Sequence, residues 1–358
     1  MVKGDWAFTF VRSKEKALST RHVIINTTGN SVILSRCAQI EVAEANELAV
    51  SPHSALHDHH HLSSMNRSKD YPGFWHAVLL CVIFIALQLV LIIPVAIFDA
   101  VFKTRLVAHP AVLGLVNLIA CALVVTTGWL IGRPAMSEVC ALRRVSGPAL
   151  GSVIVASAGA IILLSEADNL VRLILPTPEW IVRIFSELSA PSEHFWASVF
   201  LLVIVAPLTE EVMFRGLILR AFLQRFRGGV AFLLSSILFG LVHLNPWQFV
   251  SAFALGMMFA WYYARTRSLV PCLIGHALAN AMVVGNVSLP FKVRGFNAGD
   301  PFASADLQPA WFDALGVLLL AAGLWLFHRA TPAMQVRVET SSEEQAPLVP
   351  SGPDAPST

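Results

Sequence analysis

Apolar residues run through this chain in long stretches separated by short polar or charged breaks, without the strict alternation of a half-buried strand or the single stripe of a surface helix. Windows long enough to cross a hydrocarbon core, which takes about 20 helical residues, lie near 74–98, 106–130, 148–164, 195–222, 229–245, 247–264, 269–287 and 310–328. The pattern predicts an all-α fold, a polytopic transmembrane helix bundle of about eight spanning helices over 73–328. The 148–164 window is expected to continue as helix through the polar stretch Ser165-Glu166-Ala167-Asp168-Asn169. Residues 1–72 are polar and mixed, and residues 329–358 are rich in Pro, Ser and Glu, so both are expected to be disordered tails. Met65 stands just before the first window, and the first 64 residues are expected to be dispensable. No internal repeat is visible.

Composition sharpens this picture. The chain is 56% hydrophobic and 13% charged, against about 25% charged in an average soluble domain, and a soluble fold could not hide so much apolar surface. The lipid bilayer is therefore its surrounding partner. The net charge of +2 is small, and the basic residues fall between apolar windows rather than in one patch, so no nucleic-acid partner is expected. Charge reports topology instead. With both termini inside, the inner loops gather Arg67, Lys69, Arg133, Arg143, Arg144, Arg220, Arg225, Arg227, Arg265, Arg267, Arg329 and Arg337. The outer side keeps Lys103, Arg105, Arg172, Arg183, Lys292 and Arg294, and this twofold bias predicts an N-in, C-in orientation. The cysteines Cys37, Cys81, Cys121, Cys140 and Cys272 are dispersed, show no metal-ligand spacing and predict no disulfide framework. The cluster His53, His57, His59, His60 and His61 lacks helical spacing and cysteine partners, and reads as a solvated segment rather than a metal tract. Trp261, Tyr262 and Tyr263 near a span end read as lipid-facing or interfacial anchors.

Ionisable groups inside the apolar windows carry the chemistry, because a charge at the bilayer centre costs about 2.5–3.5 kcal/mol on insertion scales and usually marks function. The fourth window holds Pro207-Leu208-Thr209-Glu210-Glu211-Val212-Met213-Phe214-Arg215. Glu211 and Arg215 are four apart on one helical face and are expected to pair. Glu210 is rotated about 100° from Glu211 and left without that partner. Burial disfavours the charged form of an unpaired carboxylate, the tuning that a general base needs. Pro207 frees a backbone carbonyl one turn earlier. The fifth window ends in Phe239-Gly240-Leu241-Val242-His243, and the seventh contains His276-Ala277-Leu278-Ala279-Asn280. His276 and Asn280 share a face and form a compact set of donors for a developing oxyanion. Counted at about 1.5 Å per residue from the inner ends, Glu210, His243, His276 and Asn280 fall at a common depth of roughly 10–20 Å, so they are expected to meet.

These residues resemble the motifs of the CPBP family of intramembrane proteases, which includes the type II CAAX prenyl endopeptidases and the bacteriocin-processing or immunity-associated Abi proteins. Its Glu-Glu-x-x-x-Arg motif matches Glu210, Glu211 and Arg215; its Phe-x-x-x-His motif matches Phe239 and His243; and its His-x-x-x-Asn/Asp motif matches His276 and Asn280. Each alone is weak, but together they stand in the family's order on separate windows, and the resemblance covers about residues 130–290. It implies peptide-bond hydrolysis in which Glu210, helped by His243, activates water while His276 and Asn280 stabilise the oxyanion. Glu211, Arg215 and Phe239 would then be supporting residues. It also implies a peptide or prenylated-protein substrate and the plasma (cell inner) membrane of a prokaryote. The family has been classed as metalloprotease, and Glu210, His243 and His276 form a sound zinc constellation; metal-free, glutamate-dependent chemistry is the other reading, favoured here because the ligands come from three helices without an HExxH pair. A noncatalytic immunity or scaffold protein that binds peptides is the alternative function. Intramembrane Glu and His also mark transporters and proton relays, but the inverted repeat and paired broken helices of that class are missing from the sequence.

Overall fold

Prolines open four helices of this chain, and left-handed cationic residues close three. The computed structural model describes residues 23–27, 30–34, 71–188, 194–298, 302 and 305–331. They include the strands β1 (Val23–Thr27) and β2 (Asn30–Leu34) and the helices α1 (Phe74–Phe102), α2 (Pro110–Gly132), α3 (Gly147–Ile174), α4 (Glu179–Leu188), α5 (Phe195–Arg225), α6 (Gly228–Leu241), α7 (Pro246–Thr266), α8 (Val270–Gly285) and α9 (Ala310–Ala330). Proline occupies one of the first two positions of α2, α3, α7 and α8, where its missing N–H costs nothing. At the other ends Lys103, Arg133 and Arg267 adopt φ of 59°, 45° and 50°. They place a cation at the negative pole of α1, α2 and α7.

The chain divides into two units, Met1–His59 and His60–Thr358. In the first, β1 and β2 pair antiparallel from Val23 opposite Leu34 to Thr27 opposite Asn30. The histidine cluster, Met65 and the tail beyond Thr331 lie outside the described residues, as does most of the expected disordered segment 1–72.

The second unit is all-α among its described residues, a polytopic bundle. Five of its helices, α1, α2, α3, α5 and α9, are long and apolar enough to cross a membrane. The other three expected spans are helices of differing length and apolarity. Helices α6 and α8 have 14 and 16 residues, giving about 21 and 24 Å of rise against a core of about 30 Å. Helix α7 has the length, with 21 residues, but not the apolarity. The 148–164 window does continue through Ser165–Asn169, as α3. There Glu166 Oε2 accepts from the backbone N–H of Gln308 at 2.9 Å and from Asn169 Nδ2 at 3.0 Å, and Asn169 Nδ2 also reaches the Gly295 carbonyl at 2.6 Å. The polar turn thus holds the loop that joins α8 to α9.

Helix α5 is the axis of the bundle. Its apolar window is 50% buried, compared with 17% in α1 and 22% in α9, whose Leu89, Val90 and Leu318 face outward as lipid-exposed side chains do. Met213, Phe214, Leu217, Ile218, Leu219 and Phe222 of α5 are fully buried in the main core. Tyr262 and Tyr263 correct the expectation of lipid-facing anchors: both are buried, and the Tyr262 ring sits 4.4 Å from that of Phe327 on α9. Position near a span end says where aromatic rings are favoured, but the neighbour on α9 decides where these two go.

Helices α3 and α9 touch backbone to backbone. A Cβ on Gly323 would lie 2.3 Å from the Ala156 nitrogen, and one on Gly159 would lie 2.3 Å from that of Leu320. Gly323→Ala is therefore expected to force the pair apart and to cost about 1–3 kcal/mol, read as a lower unfolding midpoint in detergent. An unchanged midpoint would contradict the close crossing.

Candidate active site

Glu211 and Arg215 form the expected pair, and the structure gives it a third member. Arg215 Nη1 lies 3.0 Å from Glu211 Oε1, with both side chains buried, and His276 Nδ1 reaches the same oxygen at 2.8 Å. A carboxylate only accepts, so His276 carries a proton on Nδ1 and turns Nε2 the other way. That nitrogen lies 3.8 Å from Glu210 Oε2. The imidazole of α8 is thus bracketed by the two adjacent carboxylates of α5. The Glu210 side chain is 15% exposed, whereas that of Glu211 is fully buried. Neither Glu210 Oε2 nor Glu211 Oε2 accepts a hydrogen bond from the described protein.

The local shape of α5 makes this possible. The α-helical turn Ala206–Glu211 lies between two π-helical segments, Phe200–Val205 and Val212–Leu219. Such wide turns shift the phase of side chains and occur often at functional sites. Helix α2 braces the same turn: Thr209 Oγ1 is 2.9 Å from Asn117 Oδ1, and the Cys121 thiol donates to the Thr209 carbonyl at 3.2 Å. Asn117, Cys121 and Thr209 escaped the sequence reading because nothing in their spacing shows that α2 lies against α5.

Phe239 and Phe259 wall the group. Arg215 sits 4.4 Å over the Phe239 ring and 5.4 Å over that of Phe259, and Arg215 Nη2 donates to the Gly256 carbonyl at 3.2 Å. The Phe239 ring also packs edge-on against His243 and His276, with centroids at 5.5 and 5.8 Å. One turn after Phe239, just past the end of α6, His243 Nδ1 is 2.9 Å from the Phe239 carbonyl. Nδ1 must donate to that acceptor, which leaves the Nε2 lone pair of His243 available as a base. The four-residue spacing in Phe239–His243 therefore has a mechanical content: backbone and ring of the first residue orient the imidazole of the second.

Asn280 also has a partner on α5. Its Nδ2 donates to the Leu202 carbonyl at 2.8 Å, so one of its two N–H groups is committed to α5.

Residues 192–282 match the family described as type II CAAX prenyl endopeptidase Rce1-like. This segment is similar to that family. It contains α5 to most of α8, and so every motif residue named above. Curated relatives agree: YdiL of Bacillus subtilis (strain 168) is 36% identical over 23% of this chain, and the membrane-embedded CAAX protease MroQ of Staphylococcus aureus (strain USA300) is 34% identical over 24%. UPF0177 protein YxdF of Lactococcus lactis subsp. lactis (strain IL1403) is 33% identical over 23%. The aligned parts cover 33%, 37% and 45% of the lengths of YdiL, MroQ and YxdF, well under two thirds of each relative. No solved structure matches. The chain is thus an integral membrane protein, and residues 192–282 are similar to a membrane peptidase family.

The zinc constellation expected of Glu210, His243 and His276 can be set against the geometry of this segment. Among the described residues no three His, Cys, Asp or Glu side chains converge as metal ligands. His276 gives Nδ1 to Glu211, while the His243 ring packs edge-on against Phe239. Glu210, His243 and His276 are therefore not gathered as a three-ligand set among the described residues.

Proposed function

We propose that this protein is an intramembrane endopeptidase that hydrolyses peptide bonds with Glu210 as general base. The observation that carries the reading is the Glu210 carboxylate itself, largely buried, with Oε2 beside His276 and accepting no hydrogen bond from the described protein. Such an oxygen can take a proton from water, helped by the Nε2 lone pair of His243. The hydroxide so formed attacks the scissile carbonyl carbon. His276, as an imidazolium whose Nδ1–H is held by Glu211, donates its Nε2–H to the oxyanion together with the second N–H of Asn280, and the proton held by Glu210 passes to the leaving amine as the C–N bond breaks. Glu211 fixes the His276 ring, Arg215 neutralises Glu211, and Phe239 orients His243. The substrate class is a peptide or prenylated protein, a reading supported by the family description and by MroQ being named a CAAX protease. The twofold Lys and Arg bias supports an N-in, C-in orientation.

The glutamate-dependent route needs no ion. Purified protein in detergent is expected to cleave a CAAX-type prenylated peptide or a hydrophobic peptide library at an unchanged rate after dialysis against EDTA. Failure to cleave any peptide would refute the endopeptidase, and loss of cleavage restored by zinc would refute the metal-free route.

A further inference from the structure

We propose that Asn280 is a positioning residue: by supplying the hydrogen bond that Pro207 denies to Leu202, it locks the register of α5 and so fixes Glu210 against His276. In the wide turn Phe200–Val205 the bonds run five residues back, and the Ala206 N–H donates to the Leu201 carbonyl in that register. The next bond in the series would run from residue 207 to the Leu202 carbonyl. Residue 207 is proline and has no N–H. The acceptor that proline leaves open is the one Asn280 Nδ2 reaches at 2.8 Å. Around it the Thr209 hydroxyl stands 2.9 Å from the Val205 carbonyl and 3.0 Å from that of Ala206, so the turn before Glu210 is completed by side chains.

A buried carbonyl without a donor is costly, and a helix relieves that cost by changing register. Passing from a π to an α turn rotates everything beyond it by about 100°. Glu210 lies three residues past Pro207, so that rotation would carry its carboxylate away from His276. Helix α8 prevents this at two levels, with His276 against the two glutamates and, one turn on, Asn280 against Leu202. The Asn of the His-x-x-x-Asn motif thereby acts through α5 as well as through the oxyanion donor assigned above, and its effect on cleavage rests on that assignment of activity.

Pro207→Ala separates the two roles, because it returns an N–H to position 207. The full chain in detergent is compared as wild type, Asn280→Ala, Pro207→Ala and the double variant, with two readouts: peptide cleavage and amide hydrogen exchange over residues 200–206. Asn280→Ala is expected to speed exchange and to lower kcat. In the Pro207→Ala background both effects are expected to shrink about tenfold, the scale of one buried hydrogen bond. Asn280→Asp keeps the shape but offers only acceptors, and serves as the second variant with the same expected pattern. Equal loss of cleavage in both backgrounds overturns the proposal, as does exchange that the Asn280 variants leave unchanged. Exchange does not depend on hydrolysis: a wild-type protein that cleaves nothing refutes the endopeptidase, while coupled exchange would still support the lock.

Discussion

Glu210→Gln is expected to abolish peptide cleavage, with kcat reduced by at least about 10²–10⁴, the range ascribed to a positioned acid or base. The substitution keeps the size and polarity of the side chain and its place beside His276, so the fold is expected to survive. What it removes is the capacity to accept a proton from water at a buried position. Because an amide can still hydrogen-bond substrate and water, KM should move little while kcat collapses, the pattern of an interaction made in the transition state. Glu210→Ala should be no worse than Glu210→Gln, since the proton acceptor is already gone in both. The measurement is steady-state cleavage by purified variants in detergent, with unfolding midpoints in parallel. Retention of wild-type kcat by a folded Glu210→Gln protein would remove Glu210 from the chemistry and return the noncatalytic peptide-binding alternative to first place.

Much of this site was legible in the sequence because its motifs are local. Four-residue spacing on a helix places Glu211 on Arg215 and His243 on the Phe239 carbonyl, and both contacts are present at 3.0 and 2.9 Å. What sequence could not show depends on phase and on neighbours. An ideal helix puts Glu210 and Glu211 about 100° apart, with one paired and the other alone; in the folded chain, between two π-helical segments, both carboxylates face His276. Pro207 frees a carbonyl by its sequence alone, but the donor that meets Leu202 is Asn280 on another helix, which no local spacing reveals. The ends of two spans were not legible for a related reason. Apolar residues continue past the ends of α6 and α8, so hydropathy windows there exceed the helices that carry them. Burial of Tyr262 was invisible because Phe327, the ring it packs on, lies 65 positions along the chain.

Arg215→Met is expected to be the most destabilising of these single changes, by about 3–5 kcal/mol, the cost of leaving a buried charge uncompensated. Arg215 and Glu211 are 1% and 0% exposed, so water cannot replace the lost guanidinium. The same oxygen of Glu211 serves Arg215 and His276, so the stranded charge would bear directly on the His276 ring. Methionine restores most of the apolar contact with Phe239 and Phe259, which isolates the electrostatic part of the loss from the packing part. Glu211→Gln in the Arg215→Met background removes the stranded charge, while its carbonyl oxygen still accepts from His276 Nδ1. The double variant is therefore expected to be more stable than Arg215→Met alone, even though it carries one more substitution. Thermal unfolding in detergent across the four proteins of this cycle reads the coupling. Additive losses would show that the two side chains are held separately by the core and that the pair is incidental to it. Recovery in the double variant would show that Arg215 is needed because Glu211 is charged. Glu211 in turn holds His276 within reach of Glu210, so a full account of the arginine runs through the imidazole at the centre of the site.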